Sequence, residues 1–380
     1  MISIIEKEKC TGCHACANEC PKKCIDMIAD TEGFLYPLVD ESRCIHCNLC
    51  EKVCPVIEKN RTSNAPKAYA VINKNEEIRK ESSSGGVFTL IAEYVLSNDG
   101  VVFGAAFDED FNVKHILVYS YDDLNKLRGS KYLQSTIGDT YEQVKKLLDN
   151  NKMVYYTGTP CQIEGLLKYL KKGYSNLITQ DIICHGVPSP RVWKDYLVFI
   201  SNSKPKGVSF REKSNGWQNY NVNILFENGF EYNCPSSQDS YMKSFLKDYI
   251  LRPSCYNCSF KDKIRSSDFT LADFWGIDNI LPQMNDNRGT SLVFLNSKKS
   301  QEIFYKIKDK ANFQEVGLDE AIKYNPAAVQ SAKKPKGRDE FVRKINSSNF
   351  DKVVKKYCDP KLLIRVKQKL KRIAKRLLKK

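Results

Sequence analysis

Residues 10–21, CTGCHACANECP, and residues 44–55, CIHCNLCEKVCP, carry one spacing twice: C-x2-C-x2-C-x3-C-P. The first copy supplies Cys10, Cys13, Cys16 and Cys20 ahead of Pro21, and the second supplies Cys44, Cys47, Cys50 and Cys54 ahead of Pro55. The copies begin 34 residues apart, which marks a duplicated unit. Short intervals let three thiolates of one loop face one cubane, and the proline keeps the chain from turning straight back into helix. Such runs ligate 4Fe-4S clusters. A zinc ribbon needs only two C-x2-C pairs and would leave half of these cysteines idle.

In proteins with two such clusters, the fourth cysteine of each run crosses to the other cluster. One expected ligand set is therefore Cys10, Cys13, Cys16 and Cys54, and the other is Cys44, Cys47, Cys50 and Cys20. Residues 1–57 are expected to form a two-cluster ferredoxin-like domain. Cys24 lies just past the first run and is expected to pack against a cluster as a bystander. His14 and His46, between ligands, are expected to donate to cluster sulfur or to be solvated, not to ligate.

The whole chain has 380 residues, enough for two or three cores, with ordinary hydrophobic and charged fractions of 42% and 28%. No apolar run approaches the roughly 18 residues of a membrane span. Glu6, Lys7, Glu8 and Lys9 precede the first ligand where a secretory leader would carry its apolar region. Fifteen cysteines in the cytoplasmic setting this implies point to metal ligation, not disulfides. Cys234 and Cys358 fall into no pattern.

A net charge of +15 invites a nucleic-acid reading until it is located. Residues 331–380 hold 19 Lys and Arg against four acids, so the rest of the chain is neutral and a basic body for nucleic acid is unsupported. Within this basic tail, Leu363, Val366, Leu370, Ile373 and Leu377 share one helical face over residues 361–380. A basic amphipathic helix suits an anionic membrane surface at the inner face of the membrane or an acidic partner subunit; docking on its own domain and disorder are the alternatives.

Residues 58–67, polar with Pro66, read as a linker. The body runs over 68–330, in a first part (68–150) and a second (151–330). Its first part opens with a strand at 68–73, the small-residue run Ser82 to Gly86 and an apolar helix at 87–96. That run suits either an anion at the helix N-terminus or an ordinary Ser cap. A hairpin, 101–107 with 113–120, precedes the loop Arg128-Gly129-Ser130-Lys131-Tyr132, whose cations and hydroxyls suit phosphates or an ordinary solvated turn.

The second part places cysteines on elements. A strand at 153–156, a turn to Cys161, a helix at 162–170 and a strand at 177–183 ending at Cys184 form a strand-helix-strand unit with parallel strands. Cys161 and Cys184 then sit at one sheet edge, where α/β proteins bind ligands. The helix N-terminus favours a thiolate at Cys161. Cys255-x2-Cys258 adds a two-thiolate clip. Four cysteines from three loops match a third 4Fe-4S cluster, with structural zinc and scattered buried cysteines as the rival readings.

Five ordered stretches, Ser83-Ser84-Gly85-Gly86-Val87-Phe88, Gly129-Ser130-Lys131-Tyr132, Gly158-Thr159-Pro160-Cys161-Gln162, Asp181 to Pro188 and Asp273-Phe274-Trp275-Gly276, resemble the coenzyme F420 hydrogenase/dehydrogenase beta-subunit family over roughly 68–330. The resemblance implies FAD on an α/β core beside a 4Fe-4S cluster, with deazaflavin coenzyme as a further cofactor. It carries the flavin site onto Ser84, Gly85, Gly86, Arg128, Ser130, Lys131, Tyr132, Thr157 and Thr159, and the third cluster onto Cys161, Cys184, Cys255 and Cys258. No G-x-G-x-x-G turn follows a strand, which agrees with a different nucleotide site.

The expected fold class is an α+β multidomain chain: a ferredoxin-like domain, a mixed α/β body binding flavin and iron–sulfur, and a basic helical tail. The expected function is a flavin-dependent iron–sulfur oxidoreductase supplied by ferredoxin or another redox protein. The alternative is an electron-transfer subunit whose partner holds the substrate site. His185 and Asp273 are candidate proton donors, each with a structural hydrogen-bonding role as the rival reading.

Overall fold

The computed structural model describes residues 1–3, 6–57 and 65–359. Most of the expected linker and the whole of the expected amphipathic helix at 361–380 lie outside these described residues.

The N-terminal unit is small, so its cysteines do much of its packing. Strands β1 (Ile25–Ala29) and β2 (Leu35–Val39) pair antiparallel between the helices Ala15–Glu19 and Leu49–Lys52. Cys16, Cys20, Cys24 and Cys50 are buried with Ile2 and Ile25 in one cluster.

The body is built on one eight-stranded sheet whose members come from both expected parts. These are β3 (Lys67–Asn73), β4 (Val101–Phe107), β5 (Val113–Val118), β6 (Val154–Thr157) and β7 (Leu177–Ile182). A separate antiparallel sheet of β8 (Pro205–Glu212), β9 (Asn221–Phe226) and β10 (Glu231–Pro235) follows, before β11 (Phe269–Asp273), β12 (Ser291–Leu295) and β13 (Ala311–Val316) complete the large sheet. Its order is β13-β3-β12-β11-β7-β6-β4-β5. The central pairs β4/β6, β6/β7 and β7/β11 are parallel, flanked by antiparallel strands.

Strands covered on both faces read as continuous apolar runs. Along β4 to β7, Val102, Ala106, Tyr155 and Ile178 enter a core with the helices Val87–Ser97 and Lys298–Ile307. The alternate residues Val101, Phe103, Val154, Tyr156 and Leu177 enter another with the helices Thr140–Asp149 and Pro160–Leu170. Ala15 and Val53 of the N-terminal unit belong to this second core. Gly165 in helix Pro160–Leu170 makes that approach feasible, because a Cβ there would come within 3.1 Å of Cys13 Sγ.

A further core joins the small sheet to helices Pro190–Ile200 and Ser240–Leu246. It corrects the expectation of a tail starting at residue 331. The helices Arg338–Lys344 and Phe350–Cys358 bury Phe341, Phe350, Val354 and Cys358 in this core. Apart from the buried Arg338, their basic residues lie on the outer faces of amphipathic helices, so a run that looks like tail by charge packs with the body as far as residue 358. No helix among the described residues is long and apolar enough to cross a membrane.

Candidate iron–sulfur site and adjoining cleft

The parallel strands β6 and β7 end at one sheet edge, and that edge collects the second group of cysteines. After β6, Pro160 opens the next helix while Thr159 N donates to Gln162 Oε1 (2.9 Å), which closes the first turn. This places Cys161 in the first turn; Cys184 follows β7, and the turn Pro253–Asn257 brings Cys255 with Cys258 behind it. All four line one recess, walled by Val187, Phe260 and the side chains of Arg252, Lys261 and Arg265. Lys261 Nζ donates to the Cys184 and Ala327 carbonyls, the latter at 2.8 Å. Among the described residues, no three His, Cys, Asp or Glu converge as ligands of a single metal ion.

Burial pushes the Cys161 thiol well above its ordinary value and the Cys255 thiol up to about 12. Desolvation at Cys161 therefore outweighs the expected pull of the helix N-terminus toward thiolate. Four sulfur donors in an apolar recess with three cations fit a tetrathiolate iron–sulfur cluster, whose ligation itself deprotonates the thiols and whose negative charge the cations offset.

In the N-terminal unit, Cys10, Cys13, Cys16 and Cys54 line one recess, and Cys20, Cys44, Cys47 and Cys50 line another. These are the two crossed sets. Cys47 is exposed, whereas Thr11 lines both the Cys10 recess and the Cys161 recess. Cys24 shares the outer recess and lies 3.4 Å from Cys20, sulfur to sulfur. His14 is buried and pulled down to about 4, chiefly by desolvation, while His46 is exposed.

Sequence comparisons match the same regions. Residues 9–57 match the 4Fe-4S dicluster domain model. Residues 68–140 match the model for coenzyme F420 hydrogenase/dehydrogenase, beta subunit N-term, and residues 151–321 match that for its C terminus. The chain belongs to the coenzyme F420 hydrogenase/dehydrogenase beta-subunit family. It is an iron–sulfur protein of a family of oxidoreductases. A coenzyme F420-dependent sulfite reductase of Methanocaldococcus jannaschii is 28% identical over 173 residues, covering 43% of this chain and 26% of that protein. The chain thus spans about a quarter of that relative's length. A chain in the structure of the F420-reducing NiFe hydrogenase complex from Methanosarcina barkeri matches 71% of this chain and 96% of its own, at 17% identity and a TM-score of 0.46.

The residues that this family resemblance marked for flavin divide into groups. Arg128, Ser130 and Lys131 line a solvent-open cleft of about 930 Å³ with Ser83, Phe107, Phe111, Ser209, Phe210 and Arg211. Arg128 is occupied by Glu81 and Asn125. Lys131 Nζ donates to the Arg128 carbonyl at 2.9 Å and makes no ion pair among the described residues. Burial pulls it down to about 7. Ser83 and Ser130 share a hydroxyl hydrogen bond of 2.8 Å across the cleft wall.

The other marked residues are committed to scaffolding. Ser84 Oγ donates to the Thr290 carbonyl (2.8 Å), and Gly85 N donates to Ser291 Oγ (2.9 Å). Helix Val87–Ser97 starts from Gly86 with no side-chain cap, so the alternative of a Ser cap is not met. Thr157 Oγ1 donates to the Phe103 carbonyl (3.0 Å), Thr159 lies 3.1 Å from Cys161 Sγ, and Tyr132 packs on Phe210 and Phe245. Cations, hydroxyls and rings in the cleft fit an anionic, ring-bearing nucleotide.

His185 and Asp273 are not brought together. His185 lines the cysteine recess with Nε2 at 2.6 Å from Asp248 Oδ1. Asp273 holds Arg211 (2.7 Å) and accepts from Trp217 Nε1 (3.2 Å), under the stacked pair Trp217 and Trp275. Sequence reasoning missed Arg211, Arg252, Lys261 and Arg265. The one signal in the sequence for Lys261 and Arg265 is their closeness to Cys258, and nothing in its own stretch points to Arg211.

Proposed function

We propose that this chain passes electrons singly between its surface near Cys47 and FAD in the Arg128–Lys131 cleft, from which a hydride goes on to an organic substrate or the deazaflavin coenzyme. The observation that carries the reading is that Thr11 lines two cysteine recesses at once, so the crossed set at Cys10 adjoins the set at Cys161. Cys161, Cys184, Cys255 and Cys258 would hold a third 4Fe-4S cluster.

Bound clusters supply one-electron transfer, and a flavin exchanges single electrons for hydride. The chain's own residues hold and insulate these groups. Arg252, Lys261 and Arg265 offset thiolate charge, and the apolar walls keep water from the sulfurs. Lys131, which has no carboxylate partner among the described residues, can take a cofactor's anionic group, and that contact would restore its charge. His185 is held at the recess wall by Asp248. Asp273 positions Arg211 at the cleft wall.

Ferredoxin or another redox protein is the proposed partner at the Cys47 end, in the cytoplasm. A second reading has the substrate site on a partner subunit. It is favoured by the small share of the sulfite reductase that the chain spans. Anaerobic reconstitution with iron, sulfide and flavin extraction tests the first. About twelve irons per chain with released flavin support it, and about eight irons or a flavin-free chain reject it. Reduction of deazaflavin by the isolated, reconstituted chain with reduced ferredoxin as donor, over a chain-free control, separates the two readings.

A further inference from the structure

Arg252 is wholly buried, and a guanidinium cannot shed its charge as a buried lysine can. Its Nε donates to the Cys10 carbonyl at 2.8 Å, Nη1 to Gln134 Oε1 at 2.9 Å and Nη2 to the Leu35 carbonyl at 2.9 Å. The same Nη2 lies 3.7 Å from Cys10 Sγ. Its carbon end stacks 4.2 Å from the Tyr36 ring centroid. Each guanidinium nitrogen has a hydrogen-bond partner, yet no carboxylate pairs with it among the described residues. A buried charge without a counter-charge is costly, so this one calls for an anion at the site.

Two cysteine sets supply that anion when metallated. One contains Cys10. The other has Arg252 in its wall, and Cys255 N donates to the Arg252 carbonyl at 2.9 Å, which ties the residue to the clip. Gly12 adapts the first loop to this arrangement: it has a left-handed φ of +68°, and a Cβ there would stand 2.9 Å from Arg252 Nη1. We infer that Arg252 is a positioning residue, the shared counter-charge of the Cys10 and Cys161 cluster sites. This rests on the reading of the Cys161 recess as a cluster site. A fixed cation beside a cluster favours its reduced, more negative form. One residue thus raises the potential of two neighbours together and leaves the outer Cys44 site alone.

The test is redox titration of the anaerobically reconstituted full chain, followed by electron paramagnetic resonance, for wild type, Arg252→Gln and Arg252→Lys. With about twelve irons retained, Arg252→Gln is expected to lower the reduced-to-oxidised ratio of two clusters by about tenfold at a fixed poise, about 59 mV for a one-electron couple, with the third unmoved. Arg252→Lys should keep both within about threefold of wild type at low pH. A shift confined to one cluster, spread equally over three, or absent overturns the inference. If Arg252→Gln does not fold, Arg252→Lys still decides, because a buried lysine can shed its charge: both clusters should stay within about threefold of wild type at low pH and fall together at high pH, whereas a tenfold fall independent of pH would show that hydrogen-bond geometry, not charge, sets the potentials. A wild-type chain with about eight irons would instead remove the third site itself, a failure of the functional reading that the iron count separates from the potentials.

Discussion

The N-terminal cysteine sites and the recess at Cys161 use the same donors and are built in opposite ways. The crossed N-terminal sets span 44 and 30 residues, Cys10 to Cys54 and Cys20 to Cys50, whereas the third recess draws on Cys161, Cys184, Cys255 and Cys258, 97 residues apart at their ends. The first kind needs only local loops around one hairpin. The second exists because β6 and β7 lie parallel and a bridge between Pro188 and Leu251 folds the clip back onto the sheet edge. Local motifs set donor spacing; the long-range recess also collects charged neighbours, here Arg252, Lys261 and Arg265.

If the two kinds of site are independent, Cys255→Ala should remove about four of about twelve irons and leave the N-terminal cluster spectrum unchanged. Iron analysis with electron paramagnetic resonance checks this. Loss of iron from all sites would mean that the recess and the N-terminal unit fold as one element.

The join between the regions can be broken without touching a cysteine. Arg338, in the segment beyond 331, forms a two-pronged ion pair with Glu32 of the β1–β2 turn, at 2.6 Å through Nη1, and donates to the Leu251 carbonyl at 2.7 Å. Its side chain is 4% exposed and that of Glu32 15%. Removing one partner of a buried pair strands the other, so Arg338→Met is expected to cost about 3 kcal/mol by denaturant unfolding. Faster hydrogen exchange should appear around residues 30–36.

A smaller effect tests the cleft. The folded-state value of Lys131, about 7, lies below its ordinary 10.5, so the folded chain binds this proton more weakly than the unfolded chain. Its contribution to stability is therefore fullest above pH 10.5, declines as the pH falls to about 7 and is flat below that. Lys131→Met should raise Tm by a few degrees at pH 6, with the gain shrinking as the pH rises through that window. A gain independent of pH would show that the ammonium is already compensated.

Legibility followed the range of the interaction. The parallel unit around Cys161 could be read because periodicity and turn residues are local, and both sheet faces show in the apolar strands of β4 to β7. The basic segment from residue 331 was misread because charge composition hides the buried faces of its helices, visible only as Phe341, Phe350 and Val354 in a common core. Ser84, Gly85 and Thr157 lie near the expected nucleotide region, but hydrogen bonds to Thr290, Ser291 and Phe103 take up their polar groups. Nothing in a linear pattern reveals such commitments.

From residues alone came the double cysteine run, because thiolate spacing is a property of a short stretch of backbone, and the candidates for a third set, because each sits on a locally legible strand end, helix start or C-x2-C clip. Folding decided which charges stand beside those sulfurs. Arg252 lies 242 residues from Cys10 along the chain. It reaches Cys10 only because the N-terminal unit packs against the helix after β6. The chain wrote the ligands locally, and packing supplied the dielectric and counter-charges around them.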